Sequence, residues 1–267
     1  MSNAVEWNAE SYHVVSRPHE AWGAHVLDRV DPAGISAALD VGCGTGKITA
    51  ELLERLPHAT VYALDQSAAM LEVARRELAQ QYGDRVRFIA ADLAEVTPEH
   101  VGEPVDLIFS TATFHWVADH DNLFRRLFAL LRPGGRLVAQ CGGGPNLKLL
   151  LQRVAELMAR EPYASYFDGW LGPWHFADPE STAVRLADAG FSAIHTDLEF
   201  HPAVMPDADE FRTFLETVIL REHLHRLPKD ALKSAFIASL TDQAAEDDPP
   251  YVLDYWRLNL SGTRPAL

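Results

Sequence analysis

The sequence is poor in cysteine and in positive charge, and it has no long apolar run. Two cysteines in 267 residues, Cys43 and Cys141, exclude a disulfide scaffold and a cysteine-based zinc site. No segment reaches the roughly 20 apolar residues of a membrane span. Met1 to Asn8 lacks the basic start and apolar run of a signal peptide, so a soluble, cytoplasmic protein is expected. Lys and Arg number 23 against 38 Asp and Glu, a net charge of −15. That balance disfavours a nucleic-acid partner, which needs a basic footprint, and docking on anionic membranes. Internal repeats and low-complexity linkers are also absent. What is there is 48% hydrophobic and 9% aromatic residues, enough to exclude a disordered composition and to bury a large core. Twelve histidines complete the inventory. His223 and His225 are two apart and share no helix face, so no metal site is expected.

The first half alternates short apolar runs with helical patterns. Ala37–Val41, Thr60–Leu64, Val86–Ala90, Val105–Ser110 and Arg136–Gln140 read as strands. Lys47–Leu56, Ser67–Ala79 and Leu123–Leu131 read as helices, with Ser67 as a cap. Arg132-Pro133-Gly134-Gly135 reads as a turn. This rhythm predicts an α/β fold, a parallel sheet with helices on both faces. The second half departs from it. Helices are expected over Asn146–Arg160, Pro179–Ala189, Asp207–Leu227 and Pro228–Ala245, and strands over Ala193–Phe200 and Tyr251–Leu260. The plan is one core (35–142, 179–201 and 249–267) with helical insertions at 143–178 and 202–248, favoured over a separate second domain because the last two strands would complete the first sheet. The N-terminal segment, 1–34, is expected to be a helical lid carrying Tyr12, the alternative being a frayed terminus.

Four places carry chemistry. Asp40-Val41-Gly42-Cys43-Gly44-Thr45-Gly46 ends the first strand with an acid and turns into a helix through Gly42, Gly44 and Gly46. Glycines permit positive φ and close approach of a ligand, and helix-start N–H groups favour a negative group. A dinucleotide fingerprint needs its third glycine at position 47, which is Lys47. Asp65 ends the second strand, where a carboxylate can take both hydroxyls of a ribose. It could instead only begin the helix at Ser67. Asp92 follows the third strand, where it could accept an adenine amine, with Leu93 and Met70 flanking the ring, or be merely solvated. After the fourth strand, Thr111, His115 and Trp116 lie at the strand ends that form the ligand crevice of α/β sheets, unless they only pack the next helix.

Together these residues resemble the class I S-adenosylmethionine-dependent methyltransferases. Asp40 to Gly46 matches the family's E/D-x-G-x-G-x-G motif. Asp65-Gln66-Ser67, a D-x-S context before Met70, matches its ribose-binding acid, Asp92 its adenine-binding acid, and Leu131-Arg132-Pro133-Gly134-Gly135 the turn before its fifth strand. Tyr12, Ser16-Arg17-Pro18, Trp7-Asn8 and His115-Trp116 are similar to the trans-aconitate methyltransferase-like group.

The resemblance implies a Rossmann-like sheet of seven strands, six parallel and one antiparallel near Tyr251–Leu260. It implies S-adenosylmethionine as cofactor and S-adenosylhomocysteine as product. Asp40, Gly42, Gly44, Gly46, Asp65, Gln66, Met70, Asp92, Leu93 and Thr111 would hold the cofactor, and Tyr12, His115 and Trp116 the acceptor. The reaction implied is SN2 methyl transfer to a small molecule. A carboxylate acceptor is already ionised; a phenol or amine would need a base, for which His115 is placed. Arg153, Arg160, His175, Arg212, Arg221, His223, His225 and Arg226 are available to an anionic acceptor. The competing functions are a non-catalytic S-adenosylmethionine-binding or regulatory protein and a dinucleotide-dependent oxidoreductase. The early Gly46 argues against the latter. Oligomeric state is not legible.

Overall fold

A computed structural model describes the backbone of residues 17–266 and the side chains from Trp22 onward. Tyr12, Trp7, Asn8 and Ser16, and with them most of the expected lid, lie outside the described residues. The described strands are β1 (Ala37–Val41), β2 (Thr60–Asp65), β3 (Val86–Ala90), β4 (Val105–Thr111), β5 (Leu131–Gly142), β6 (Ser192–Phe200), β7 (Ala203–Val204), β8 (Val252–Leu253) and β9 (Trp256–Thr263). Seven form one sheet in the order β3-β2-β1-β4-β5-β9-β6. β1 to β5 pair in parallel, and β9 runs antiparallel to β5. This is the expected α/β fold with six parallel strands and one antiparallel strand.

The period of two along each strand divides the core between the sheet faces. Leu39, Val41, Ile108, Leu137 and Ala139 pack with Leu123, Phe124 and Leu127 of one helix. Ala38, Val61, Ala63, Leu107 and Phe109 pack on the other face with Val26, Leu52 and Leu71. The helices that supply these residues are α1 (Arg17–Leu27), α2 (Lys47–Arg55), α3 (Ala68–Tyr82), the single turn α4 (Pro98–Val101) and α5 (His120–Leu130). Ser67 caps α3 by accepting from Met70 N–H at 3.2 Å, and Asp119 caps α5 by accepting from Asn122 N–H at 2.9 Å.

The chain divides into two compact units. Among the described residues, the larger comprises 17–144, Trp174–Glu199 and 257–266, and contains the sheet. It also holds α8 (Pro179–Asp188), which follows α6 (Lys148–Met158) and the short α7 (Ala164–Phe167) of the smaller unit. Among the described residues, the smaller comprises Pro145–Pro173 and Phe200–Trp256. Its later helices are α9 (Ala208–Phe214), α10 (Arg221–Arg226) and α11 (Asp230–Ala245).

Three sequence expectations need correction. The single helix over Asp207–Leu227 is α9 and α10 joined by a π turn, Leu215–Ile219. There Leu220 N–H reaches back five residues to Leu215 O at 2.7 Å. The strand over Tyr251–Leu260 is two pieces, because Leu147 and His201 N–H groups take the carbonyls of Asp254 and Tyr255 between them. β8 then pairs with β7, and only β9 enters the main sheet. Finally, β5 begins before the Pro-Gly-Gly turn. Val105 faces Leu131 and Leu107 faces Arg136, so Arg132 to Gly135 bulge out of the strand.

Candidate functional site

The larger unit gathers the chemistry-bearing residues at the carboxyl ends of β1 to β4. Gly42, Gly44 and Gly46 all have positive φ, at +74°, +54° and +85°. Gly42 and Cys43 N–H donate to Leu64 O at 2.8 and 3.0 Å, which ties the loop to β2. A Cβ on Gly42 would collide with the Thr113 side chain, and one on Gly46 would lie 2.8 Å from Leu78 Cδ1. A Cβ on Gly44 would meet no atom within 4 Å. Two glycines therefore serve packing, and the middle one leaves the backbone approachable.

Asp40 is buried and accepts a hydrogen bond from Thr49 Oγ1 at 2.7 Å. Burial pushes its pKa up to about 7; the Thr49 bond opposes this and the Asp65 charge adds to it. Asp65 accepts from Gly44 N–H on one carboxylate oxygen and from Ser67 N–H on the other, each at 2.9 Å. Both readings of Asp65 are thus compatible: it starts the turn into α3, and a carboxylate has further lone-pair sites. Gln66 is exposed, and Met70 is buried on α3. Ala91 N–H donates to Asp65 O at 3.2 Å, so Asp92 follows directly on the neighbouring strand end. Asp92 is half-buried and accepts from Ala94 N–H at 2.9 Å, while Leu93 joins the core.

β4 ends at Thr111, whose carbonyl accepts from Thr113 Oγ1 at 2.9 Å. Ala112 takes φ +55° and turns the chain into the 3-10 turn Phe114–Trp116. His115 is buried there. Its Nδ1 accepts from Gly142 N–H at 3.2 Å, and its carbonyl accepts from His175 N–H at 2.8 Å. Its ring lies 5.4 Å from that of Trp116 and 5.8 Å from that of Phe176. With Nδ1 an acceptor, the neutral imidazole carries its proton on Nε2. In that tautomer Nε2–H is a hydrogen-bond donor.

Most basic side chains of the smaller unit have partners within it. Arg153 makes a two-bond pair with Asp247 at 2.8 and 2.6 Å. Arg160 faces Glu156, Arg212 faces Asp209, and Arg221 faces Glu222. Arg226 lies over the Trp170 ring. Burial, with Arg226 nearby, drives the pKa of His223 down to about 3, so it is neutral. His225 is exposed. His175 sits in the larger unit, against His120.

Residues 38–135 match a family model described as a methyltransferase domain. A trans-aconitate 2-methyltransferase of Methylobacterium radiotolerans is 41% identical over 211 residues, covering 78% of this chain and 72% of that protein. One from Delftia acidovorans is 30% identical over 249 residues, 87% of each. The chain belongs to the S-adenosylmethionine-dependent methyltransferase family. Solved structures agree in fold. The YcgJ protein from Bacillus subtilis matches 93% of this chain and 100% of its own, with TM-score 0.62 and 15% identity. Haemonchus contortus phosphoethanolamine N-methyltransferase 2, in complex with S-adenosyl-L-methionine, matches 92% of this chain with TM-score 0.57 and 19% identity. This chain spans about half of that one, 52%.

The cofactor of this methyltransferase is S-adenosylmethionine, and the residues present fit it. The approachable Gly44 backbone and the paired acids at adjacent strand ends suit an amino acid joined to a nucleoside. Sequence reasoning missed Thr49, Thr113, His120 and the bond from Gly142. Thr49 carries a weak signal, since it is the third residue of α2 and a hydroxyl on its buried face. The Gly142 bond carries none, because it joins residues 27 apart through a backbone group.

Proposed function

We propose that the protein transfers the methyl group of S-adenosylmethionine to a carboxylate of a small molecule. The observation that carries this is the hydrogen bond from Gly142 N–H to His115 Nδ1, which leaves Nε2–H of a neutral ring as a donor. A donor suits an anionic acceptor, and a carboxylate needs no base at neutral pH. The trans-aconitate 2-methyltransferase relatives support an acceptor of the same polycarboxylate kind.

In this reading the Asp40–Gly46 loop takes the amino-acid part of the cofactor. Asp65 accepts from the ribose hydroxyls and Asp92 from the adenine amine. Gln66, Met70, Leu93 and Thr111 complete that side. When bound, the cofactor supplies an electrophilic sulfonium methyl for direct displacement. The protein's own task is orientation: His115 donates to the acceptor carboxylate, Trp116 shapes its surroundings, and proximity lowers the barrier.

The pH dependence of turnover tests this reading. With a small polycarboxylate, kcat is expected to be flat between about pH 6 and pH 9, because the acceptor is already ionised. A kcat rising tenfold per pH unit through the histidine range would give His115 the role of base and contradict the proposal.

A further inference from the structure

A lone 3-10 turn is a weak element, and Phe114–Trp116 is held from outside. His120, the first residue of α5, sets its Nε2 2.9 Å from Phe114 O. The backbone N–H of His175 donates to His115 O at 2.8 Å. Around them, Trp174 lies 5.8 Å from Trp116, and Phe176 lies 5.8 Å from His115, ring centre to ring centre. Residues 174–176 thus run along the turn. The rings of His120 and His175 meet edge to face at 4.5 Å. His120 Nδ1 and His175 Nε2 are both buried with no hydrogen-bond partner among the described residues.

We propose that His120 and His175 are a positioning pair for methyl transfer, fixing the turn that carries His115 and Trp116. The inference rests on the reading that these two residues meet the acceptor. His120 donates to a carbonyl, so its proton is on Nε2 and its Nδ1 is an acceptor. His175 touches it ring edge to face, so the pair is held by packing and by the two bonds to the turn. The surroundings keep His120 neutral. Burial lowers its pKa to about 4, helped by His175 and by Arg185 of α8, against the Phe114 bond and Asp121 of its own helix. Buried polar atoms left without partners are costly, so a pair that serves stability alone would be replaced at little loss by apolar side chains. A pair that serves catalysis would not.

The test uses the full chain with S-adenosylmethionine and a small polycarboxylate. His120→Leu removes the bond to Phe114 O, and His120→Gln returns an N–H donor near the Nε2 position. The leucine variant is expected to lose about 10²-fold in kcat, the scale of a small misplacement of reacting groups. Its affinity for S-adenosylhomocysteine should not change, and the glutamine variant should recover most of the rate. His175→Ala should lower kcat in the same way. A folded leucine variant with wild-type kcat, or a glutamine variant as slow as the leucine one, overturns the pair. If the leucine variant does not fold, imidazole nitrogen spectra of the wild type decide. A neutral His120 protonated on Nε2 at pH 6 supports the proposal, and an imidazolium or the other tautomer overturns it. A wild type with no carboxylate methylation would instead overturn the proposed function, so the two failures are distinct.

Discussion

Asp40 shows how one residue can be plain in the motif and hidden in its chemistry. Its place before the glycines is legible in the sequence, but its burial and its bond from Thr49 are not. Those follow from β1 being covered on both faces, with all five residues buried. A carboxylate whose folded pKa is near 7, against 3.8 ordinarily, binds its proton more tightly in the native state. Its stabilising contribution is therefore full below about pH 4, where both states are protonated. It is lost as pH rises through 7, where the native state must hold a buried charge. Asp40→Asn is neutral throughout. The cofactor-free variant should gain on wild type by a few kcal/mol between pH 4 and pH 8. Thermal melts across that range check the sign: the difference in Tm should grow with pH and level off above 7. A difference that shrinks with pH would show that Asp40 is ionised in the folded protein at low pH.

At the scale of elements, the glycine loop separates stability from binding. Gly46→Ala forces a side chain into φ +85° and against Leu78, and should destabilise by roughly 2–5 kcal/mol. Gly44→Ala meets no neighbour and pays only the left-handed backbone, about 1–2 kcal/mol. On the proposed reading it nevertheless fills the face of the cofactor site, so S-adenosylhomocysteine should bind at least about tenfold more weakly, or 1.4 kcal/mol. Calorimetric titration and thermal melts on both variants check this inversion. The same scale shows what sequence pattern can carry. Lys47–Arg55, Ala68–Tyr82 and Pro179–Asp188 lie where helical spacing and caps put them, because those signals are local. Val252 to Thr263 breaks at Asp254 and Tyr255 because distant N–H groups claim their carbonyls. Alternation of apolar residues cannot register a partner a hundred residues away. The π turn at Leu215–Ile219 is similar: apolar spacing runs through it unchanged while the hydrogen bonds shift by one residue.

At the scale of the whole molecule, the site is assembled by sheet topology. β1, β2, β3 and β4 are adjacent and parallel, so four loops far apart in sequence meet at one edge. That convergence was legible from the first half of the chain, because each loop follows a strand by one or two residues. The packing of Trp174–Phe176 against the turn at His115 was not, since it joins segments about 60 residues apart. Among the described residues there is no three-ligand metal cluster and no helix long and apolar enough to cross a membrane. The net charge of −15 disfavours broad polyanionic partners, while hydrogen bonding and burial single out individual histidines. The central claim is tested most directly by the product. The protein is incubated with methyl-labelled S-adenosylmethionine and a panel of small carboxylic acids, phenols and amines. The account predicts label in a base-labile methyl ester of a polycarboxylate. Label confined to a phenol or an amine would contradict it.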